Sequence, residues 1–240
     1  MNQFQFLTQL TFLKHFFPVN CYIVEEESEL TLIDAALPYS SKEIMQAAKR
    51  LGKPITRIVL THGHEDHVGS LDRLAKQLPQ AKVYISERES HLLAGDRKVL
   101  PNEPLMPIKG GLSIKIKTKP DVFIAEGDRI GSLLVVSTPG HTPGMMSFFD
   151  TRTKAIIVGD AFQTRGGLAV SGQFQWLFPF PALATWNRVM ALESARKILN
   201  LNPSLLAVGH GNMLLNPSKS ISKAIEKTQK HLQLDRKRVV

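Results

Sequence analysis

The stretch that decides the reading is Thr61-His62-Gly63-His64-Glu65-Asp66-His67. Three imidazoles and two carboxylates fall within six residues, directly after the apolar run Ile55-Thr56-Arg57-Ile58-Val59-Leu60, which reads as a buried strand. Histidine is the commonest protein metal ligand, and carboxylates suit the same hard-to-borderline ions. The stretch therefore predicts a metal centre at the end of a strand, and the rest of the chain is to be searched for the missing ligands.

Other apolar strands end in the same way. Val135 to Gly140 runs into His141, Ile156 to Gly159 into Asp160, and Leu206 to Gly209 into His210. A glycine precedes the polar residue in each case, as a chain needs where it turns sharply beside a crowded site. With His62, His64, Asp66 and His67, four strand ends deliver five histidines and two aspartates. Loops at strand ends are where active sites of layered α/β folds collect, so the pattern predicts one convergent site. Seven ligands exceed the needs of one tetrahedral ion and suit two divalent metals with a shared carboxylate and a bridging water or hydroxide. His15, His91 and His231 follow no strand end and are expected at the surface or in satisfied core positions.

Around these points the chain alternates strands and helices. Residues 5–14, 19–25 and 30–33 read as strands, followed by a helix over 41–51 with Glu43 early and Lys49-Arg50 late, as a helix dipole favours. The strand 55–60 leads through the histidine-rich loop to a helix over 66–77, a strand at 82–85 and a short helix over 87–93. Residues 94–111, with Pro101, Pro104, Pro107 and Gly110-Gly111, read as an irregular loop. Alternation over 112–117 predicts a strand with one wet face, and further strands are expected at 133–137, 145–149, 154–158 and 204–208. Helices are expected over 182–199 and 218–232. The two halves, roughly 1–110 and 111–240, share this grammar, which predicts an α/β chain of one domain, with two sheets packed together and helices outside.

Composition bounds the function classes. The 240 residues carry a net charge of +9 and one cysteine, Cys21, in an apolar context. A single cysteine makes no internal disulfide and favours a reducing compartment; Cys21 is expected to be a small buried hydrophobe. The N-terminus lacks the pattern of a secretory signal, and Lys14, His15 and Pro18 interrupt the early apolar stretch, so no membrane association and a cytoplasmic location are expected. The basic tail around Arg236-Lys237-Arg238 is not interleaved with aromatics, so it reads as a solvated helix face and nucleic acid is not the expected partner. A small molecule is, and homodimer formation is left open.

With these motifs in view, the chain resembles the metallo-β-lactamase superfamily. The matching residues are Thr61 to Gly69, Gly140-His141-Thr142-Pro143-Gly144, Gly159-Asp160 and Gly209-His210-Gly211, with Asp34 after Leu32-Ile33 matching an early acidic motif that supports the site. The resemblance implies a four-layer αβ/βα sandwich: two mixed sheets packed face to face, helices outside, and the site at one edge between the sheets. It implies that His62, His64 and His141 hold one metal, that Asp66, His67 and His210 hold a second, and that Asp160 bridges. Zinc fits the ligand set first; iron and manganese fit it too. The expected activity is hydrolysis of a small ester, lactone or thioester, with Asp66 also a candidate proton shuttle. The alternatives are a phosphodiesterase or nuclease on the same metals and a mononuclear-iron sulfur dioxygenase.

Departures from branch patterns narrow the substrate. Asp160 stands where many true β-lactamases of this fold carry a cysteine ligand. The chain ends one helix after His210, whereas similar hydroxyacylglutathione hydrolases add a helical extension that grips glutathione. Acyl-homoserine-lactone lactonases use a tyrosine after the bridging aspartate; here residues 161–181 offer Phe162, Phe174, Trp176, Phe178 and Phe180. Those aromatics are expected to line an apolar pocket or lid, with Arg165 beside Gly166-Gly167 as a candidate anion contact.

Overall fold

The structure is a computed structural model and describes residues 2–112 and 116–238, with side chains through Leu234. In chain order it contains β1 (Asn2–Phe4), β2 (Leu7–Phe12), β3 (Val19–Glu25), β4 (Leu30–Ile33), α1 (Ser41–Leu51), β5 (Ile55–Val59), α2 (Glu65–Val68), α3 (Leu71–Gln77), β6 (Lys82–Ser86), α4 (Glu87–Leu93) and β7 (Val122–Ile124). There follow β8 (Arg129–Ile130), β9 (Leu133–Ser137), β10 (Met146–Asp150), β11 (Ala155–Ile157), β12 (Phe162–Gln163), β13 (Ala169–Val170), α5 (Phe180–Ala184), α6 (Arg188–Asn200), β14 (Leu205–Ala207), β15 (Leu214–Leu215) and α7 (Ser218–Arg238).

Two mixed sheets result. The first has seven strands in the order β1 to β7, antiparallel from β1 to β4 and parallel from β4 to β7. The second has six in the order β15-β14-β11-β10-β9-β8, with β11 and β14 parallel. Period-two alternation sorts their side chains into layers. On β3, Val19, Cys21 and Ile23 face a core shared with Ile44 and Ala47 of α1 and with Leu71 and Leu74 of α3. Tyr22 and Val24 face the opposite way, into a core shared with Val135, Phe148, Ile157 and Leu205 of the second sheet. On β11 and β14, Ile156 and Leu206 turn outward to Ala195 and Ile198 of α6 and to Ile221 and Ala224 of α7. The order helices, sheet, sheet, helices is the expected αβ/βα sandwich.

Cys21 is fully buried, and burial pushes its thiol well up from the usual range. Among the described residues no helix is long and apolar enough to cross a membrane.

The expected helix over 66–77 is two, α2 and α3, broken at Gly69-Ser70. Gly69 N–H donates to Ala36 O at 2.7 Å, and a side chain at 69 would collide with Pro38, so the chain is drawn against the β4 exit and cannot continue straight. The helix expected over 182–199 is also two, α5 and α6, separated by Thr185-Trp186-Asn187. Trp186 N–H donates to His141 O at 2.9 Å and Asn187 N–H to Gly140 O at 2.8 Å, while the Asn187 side chain caps α6. Both breaks are made by hydrogen bonds to the site loops. The strand expected over 5–14 begins as a hairpin turning at Gln5, whose φ is +47°. The strand expected over 112–117 lies partly outside the described residues.

Candidate metal centre

The C-terminal ends of β5, β9, β11 and β14 deliver the polar residues to one place, with Asp34 at the end of β4 beside them. His62, His64 and His141 bring one nitrogen each within 4.8 Å of one another, as do the ligand atoms of Asp66, His67 and His210. Asp160 lies between these groups: its Oδ2 is 3.3 Å from His141 Nε2 and 3.1 Å from His210 Nε2, and its Oδ1 is 3.4 Å from His67 Nε2. All seven residues predicted from strand ends are therefore together. All but Asp66 are buried; Asp66 is partly open toward a cavity.

The hydrogen bonds on the outward side of each imidazole fix which nitrogen carries the proton. His64 Nε2 faces Lys109 O at 2.9 Å and His210 Nδ1 faces Pro18 O at 2.7 Å, and a carbonyl only accepts. His67 Nδ1 donates to Asp34 Oδ2 at 2.8 Å. Thr61 Oγ1 gives its own proton to Asp34 Oδ2, so it accepts from His62 Nδ1 at 2.9 Å. Thr185 Oγ1 gives its proton to Pro181 O, so Ser171 Oγ donates to Thr185 and accepts from His141 Nδ1 at 3.0 Å. Every neutral ring thus turns a bare nitrogen inward. Three of these lone pairs meet at close range, with His64 Nδ1 3.1 Å from His62 Nε2 and 3.0 Å from His141 Nε2. Bare nitrogens at this spacing repel one another, and a shared cation removes the repulsion. His67 Nε2 and Asp160 Oδ1 are buried without a hydrogen-bond partner, although buried polar atoms are rarely left so. The donor set fits divalent metals, with each histidine oriented by an outer hydrogen bond as metal ligands usually are.

The electrostatics agree. Burial holds His62, His64 and His141 below the ordinary histidine range, which keeps them neutral. Burial opposes charge on His67 and His210 too, but Asp160 and the neighbouring carboxylates outweigh it and raise both. Both shifts favour positive charge at the positions where a metal would supply it. Asp160 is held well below the usual carboxylate range, because His210 and His67 outweigh the cost of its burial.

Asp34 supports the site as its early acidic motif implied, and several further supporting residues carried no motif. Asp34, at a left-handed φ of +62° that aspartate tolerates, accepts from Thr61 N–H, Thr61 Oγ1 and His67. Asn20 Nδ2 donates to Val208 O and Gly211 O, Gln9 Nε2 to Gly211 O, and Tyr22 OH to Val208 O. Strands β2 and β3 of the first sheet thereby hold the turn that carries His210 from the second. Glu89 on α4 is fully buried; its two oxygens accept Gly63 N–H and Gly144 N–H, each at 2.8 Å. It ties the loop of His62 and His64 to the loop after His141. Ser86 caps α4 and donates to Gly144 O at 2.7 Å. Signals existed for these residues: polar side chains within the apolar strands β2 and β3, and a Ser-x-x-Glu spacing at 86–89. Gly209 is required by close approach, since a Cβ there would strike Asp160 and His67.

A cavity of about 590 Å³ opens above the centre, lined by His64, Asp66, His141, Asp160 and His210 on one side and by Phe17, Leu37, Pro38, Phe180, Pro181 and Ala184 on the other. Of the aromatics at 161–181, Phe180 lines it. Phe162 is buried in the core beneath α6 and α7, and Phe178 packs behind His210, with ring centroids 5.2 Å apart. Phe174 and Trp176 meet edge to face at a second depression beside α7. Arg165 donates to His15 O.

Residues 16–210 match the family described as the metallo-beta-lactamase superfamily. The chain belongs to that superfamily. It is 58% identical to the uncharacterized protein YobT of Bacillus subtilis strain 168, over 96% of this chain and 99% of that one. It is 31% identical to the probable metallo-hydrolase YflN of the same organism, over 80% of each chain. Among solved structures, it shares its fold with TTHA1623 in a di-iron-bound form (TM-score 0.65, 24% identity, 88% of this chain and 96% of that one). A metallo-beta-lactamase from Pontibacter korlensis superposes with a TM-score of 0.72 at 18% identity, over 95% of this chain and 97% of that one.

Proposed function

We propose that this superfamily member is a metal-dependent hydrolase that cleaves a small ester, lactone or thioester at two divalent metals. The observation that carries the reading is the convergence of three facing nitrogens, from His62, His64 and His141, beside a second group of ligand atoms from Asp66, His67 and His210, with Asp160 between them. His62, His64 and His141 would hold one metal and Asp66, His67 and His210 the other, with Asp160 between the two groups of ligands. Zinc and iron both suit these donors. The probable metallo-hydrolase YflN and the di-iron-bound TTHA1623 support metal-dependent hydrolysis and a metal pair respectively.

Bound there, a metal pair supplies a water of lowered pKa and stabilises the developing oxyanion. The chain's own groups do the rest. Outer hydrogen bonds hold five imidazoles in their ligating orientation, so little reorganises during reaction. Asp66, next to the cavity and 3.4 Å from His210 Nε2, orients the attacking water and passes a proton to the leaving oxygen or sulfur. Phe17 and Phe180 cover the approach and limit bulk water at the reacting carbonyl.

Elemental analysis of the purified chain, followed by a panel of lactones, esters, thioesters and phosphodiesters, tests the reading. Two metals per chain with turnover of a carbonyl substrate is the expected result. Preferred cleavage of phosphodiesters, or one iron with oxygen consumption, would replace it with one of the two alternatives.

A further inference from the structure

The cavity is unexpectedly poor in positive charge for a chain of net charge +9. Among the described residues, no lysine or arginine contributes to its lining. Away from the metal centre the wall is Phe17, Leu37, Pro38, Phe180, Pro181 and Ala184, and the one other charged residue is Glu65, whose carboxylate lies over Gly111. A carboxylate or phosphate on the non-reacting part of a substrate would find no counter-cation there and would pass an anion on entry. An uncharged apolar group finds a continuous surface.

That surface runs out of the cavity. The Phe17 ring lies 5.1 Å from that of Phe180, and α5 places Leu183 three residues beyond Phe180. Phe180 is 50% exposed, Leu183 63% and Phe16, beside Phe17, 87%. Exposed apolar surface that continues a cavity wall is the usual mark of a ligand groove.

Resting on the hydrolase reading above, we propose that the substrate's acyl group is uncharged and apolar and longer than the cavity. It lies between Phe17 and Phe180, extends over Leu183, and Glu65 rejects anionic acyl groups. Among carbonyl substrates, this selects those with alkyl acyl groups over those with anionic acyl groups. The reaction balances as hydrolysis: water adds to the acyl carbon, the carbon–oxygen bond to the leaving alcohol breaks, and the alcohol takes the proton.

The test uses the metal-loaded full chain and esters of one chromogenic alcohol, from acetate to decanoate, each with an ω-carboxylate counterpart of equal length. The kcat/KM value should rise by up to about fourfold per added methylene until the chain passes Leu183, as burial of methylene groups predicts. Each ω-carboxylate should fall about tenfold or more below its alkyl counterpart. Phe180→Ala should flatten the length dependence, and Glu65→Gln should narrow the gap between the two series. A flat length dependence, or ω-carboxylates turned over as well as alkyl esters, overturns the proposal while leaving the hydrolase reading intact. If the metal-loaded chain turns over no ester or lactone, the hydrolase reading fails, and the binding of unreactive alkyl methyl ketones then decides. Affinity rising with chain length, with a negative heat-capacity change, supports the apolar site, and its absence overturns it.

Discussion

Glu89→Gln is the substitution that separates a clamp on the metal loops from an ordinary buried acid. Glu89 has no exposed surface and accepts Gly63 N–H, between His62 and His64, and Gly144 N–H, three residues after His141. Glutamine has the same shape but one acceptor oxygen, so one glycine N–H would face an NH2 group. A buried unsatisfied donor costs about 1–3 kcal/mol, and the surviving bond loses its charge assistance, about 1 kcal/mol. Part of this is offset, because burial raises the Glu89 pKa and so already penalises the carboxylate. A net loss of about 2 kcal/mol lowers the melting temperature of a chain of this size by roughly 4–8 °C. The loss falls on the two loops that present His62, His64 and His141, and outer-layer substitutions of this kind weaken metal binding about 10–100-fold. Chelator competition measures the affinity, and thermal denaturation with and without metal measures the stability. Glu89→Asp, which keeps both acceptors at shorter reach, should restore part of the affinity. A lowered melting temperature with metal affinity within about twofold of the parent would refute the clamp.

Other outcomes follow from the same geometry. His62→Ala and Asp160→Ala should each abolish hydrolysis and lower metal content, measured by elemental analysis; full activity in both would remove the site assignment. Asn20→Ala frees the turn that carries His210 by removing donors to Val208 O and Gly211 O, and should weaken retention of the second metal about tenfold while sparing the first, as read by stepwise chelation. Metal binding should release protons, because the pKa values of His67 and His210 are raised by Asp160 and its neighbours and favour protonated rings that a metal must displace; release should shrink as pH rises. Calorimetry in buffers of different ionisation enthalpy counts the protons, and no release would contradict the electrostatics.

The seven polar residues at strand ends were legible because their chemistry and position agree: His62 or Asp160 at the mouth of a buried strand has few other uses. Layering was legible for a similar reason, since β3, β11 and β14 each alternate between two cores. The breaks at Gly69-Ser70 and Thr185-Asn187 were not, because local helical spacing continues across them and what interrupts it is bonding to distant loops, as when Trp186 N–H reaches His141 O. Aromatic richness at 161–181 signalled burial without saying where: Phe162 and Phe178 are buried, Trp176 is 89% exposed, and Phe180 lines the cavity together with Phe17, which is remote in sequence.

Several outer bonds of the centre cross between the two sheets. His210, after β14 of the second sheet, is oriented by Pro18 O, beside β3 of the first, and its turn by Asn20 and Gln9. The loop after His141 is bonded to Glu89 on α4, which follows β6 of the first sheet. His64 meets His141 through facing nitrogens at 3.0 Å. Neither sheet alone can therefore present a complete ligand set in a fixed orientation. Metal affinity should thus depend on docking of the sheets through the core that joins Tyr22 and Val24 to Val135 and Phe148. A cavity made there, as by Phe148→Ala, costs about 3–5 kcal/mol of stability. Metal added in excess of its dissociation constant should recover part of that loss, because it binds only the docked arrangement. A melting temperature of the Phe148→Ala variant that does not respond to metal, in a protein whose parent does respond, would show that the ligand loops form independently of the sheet interface.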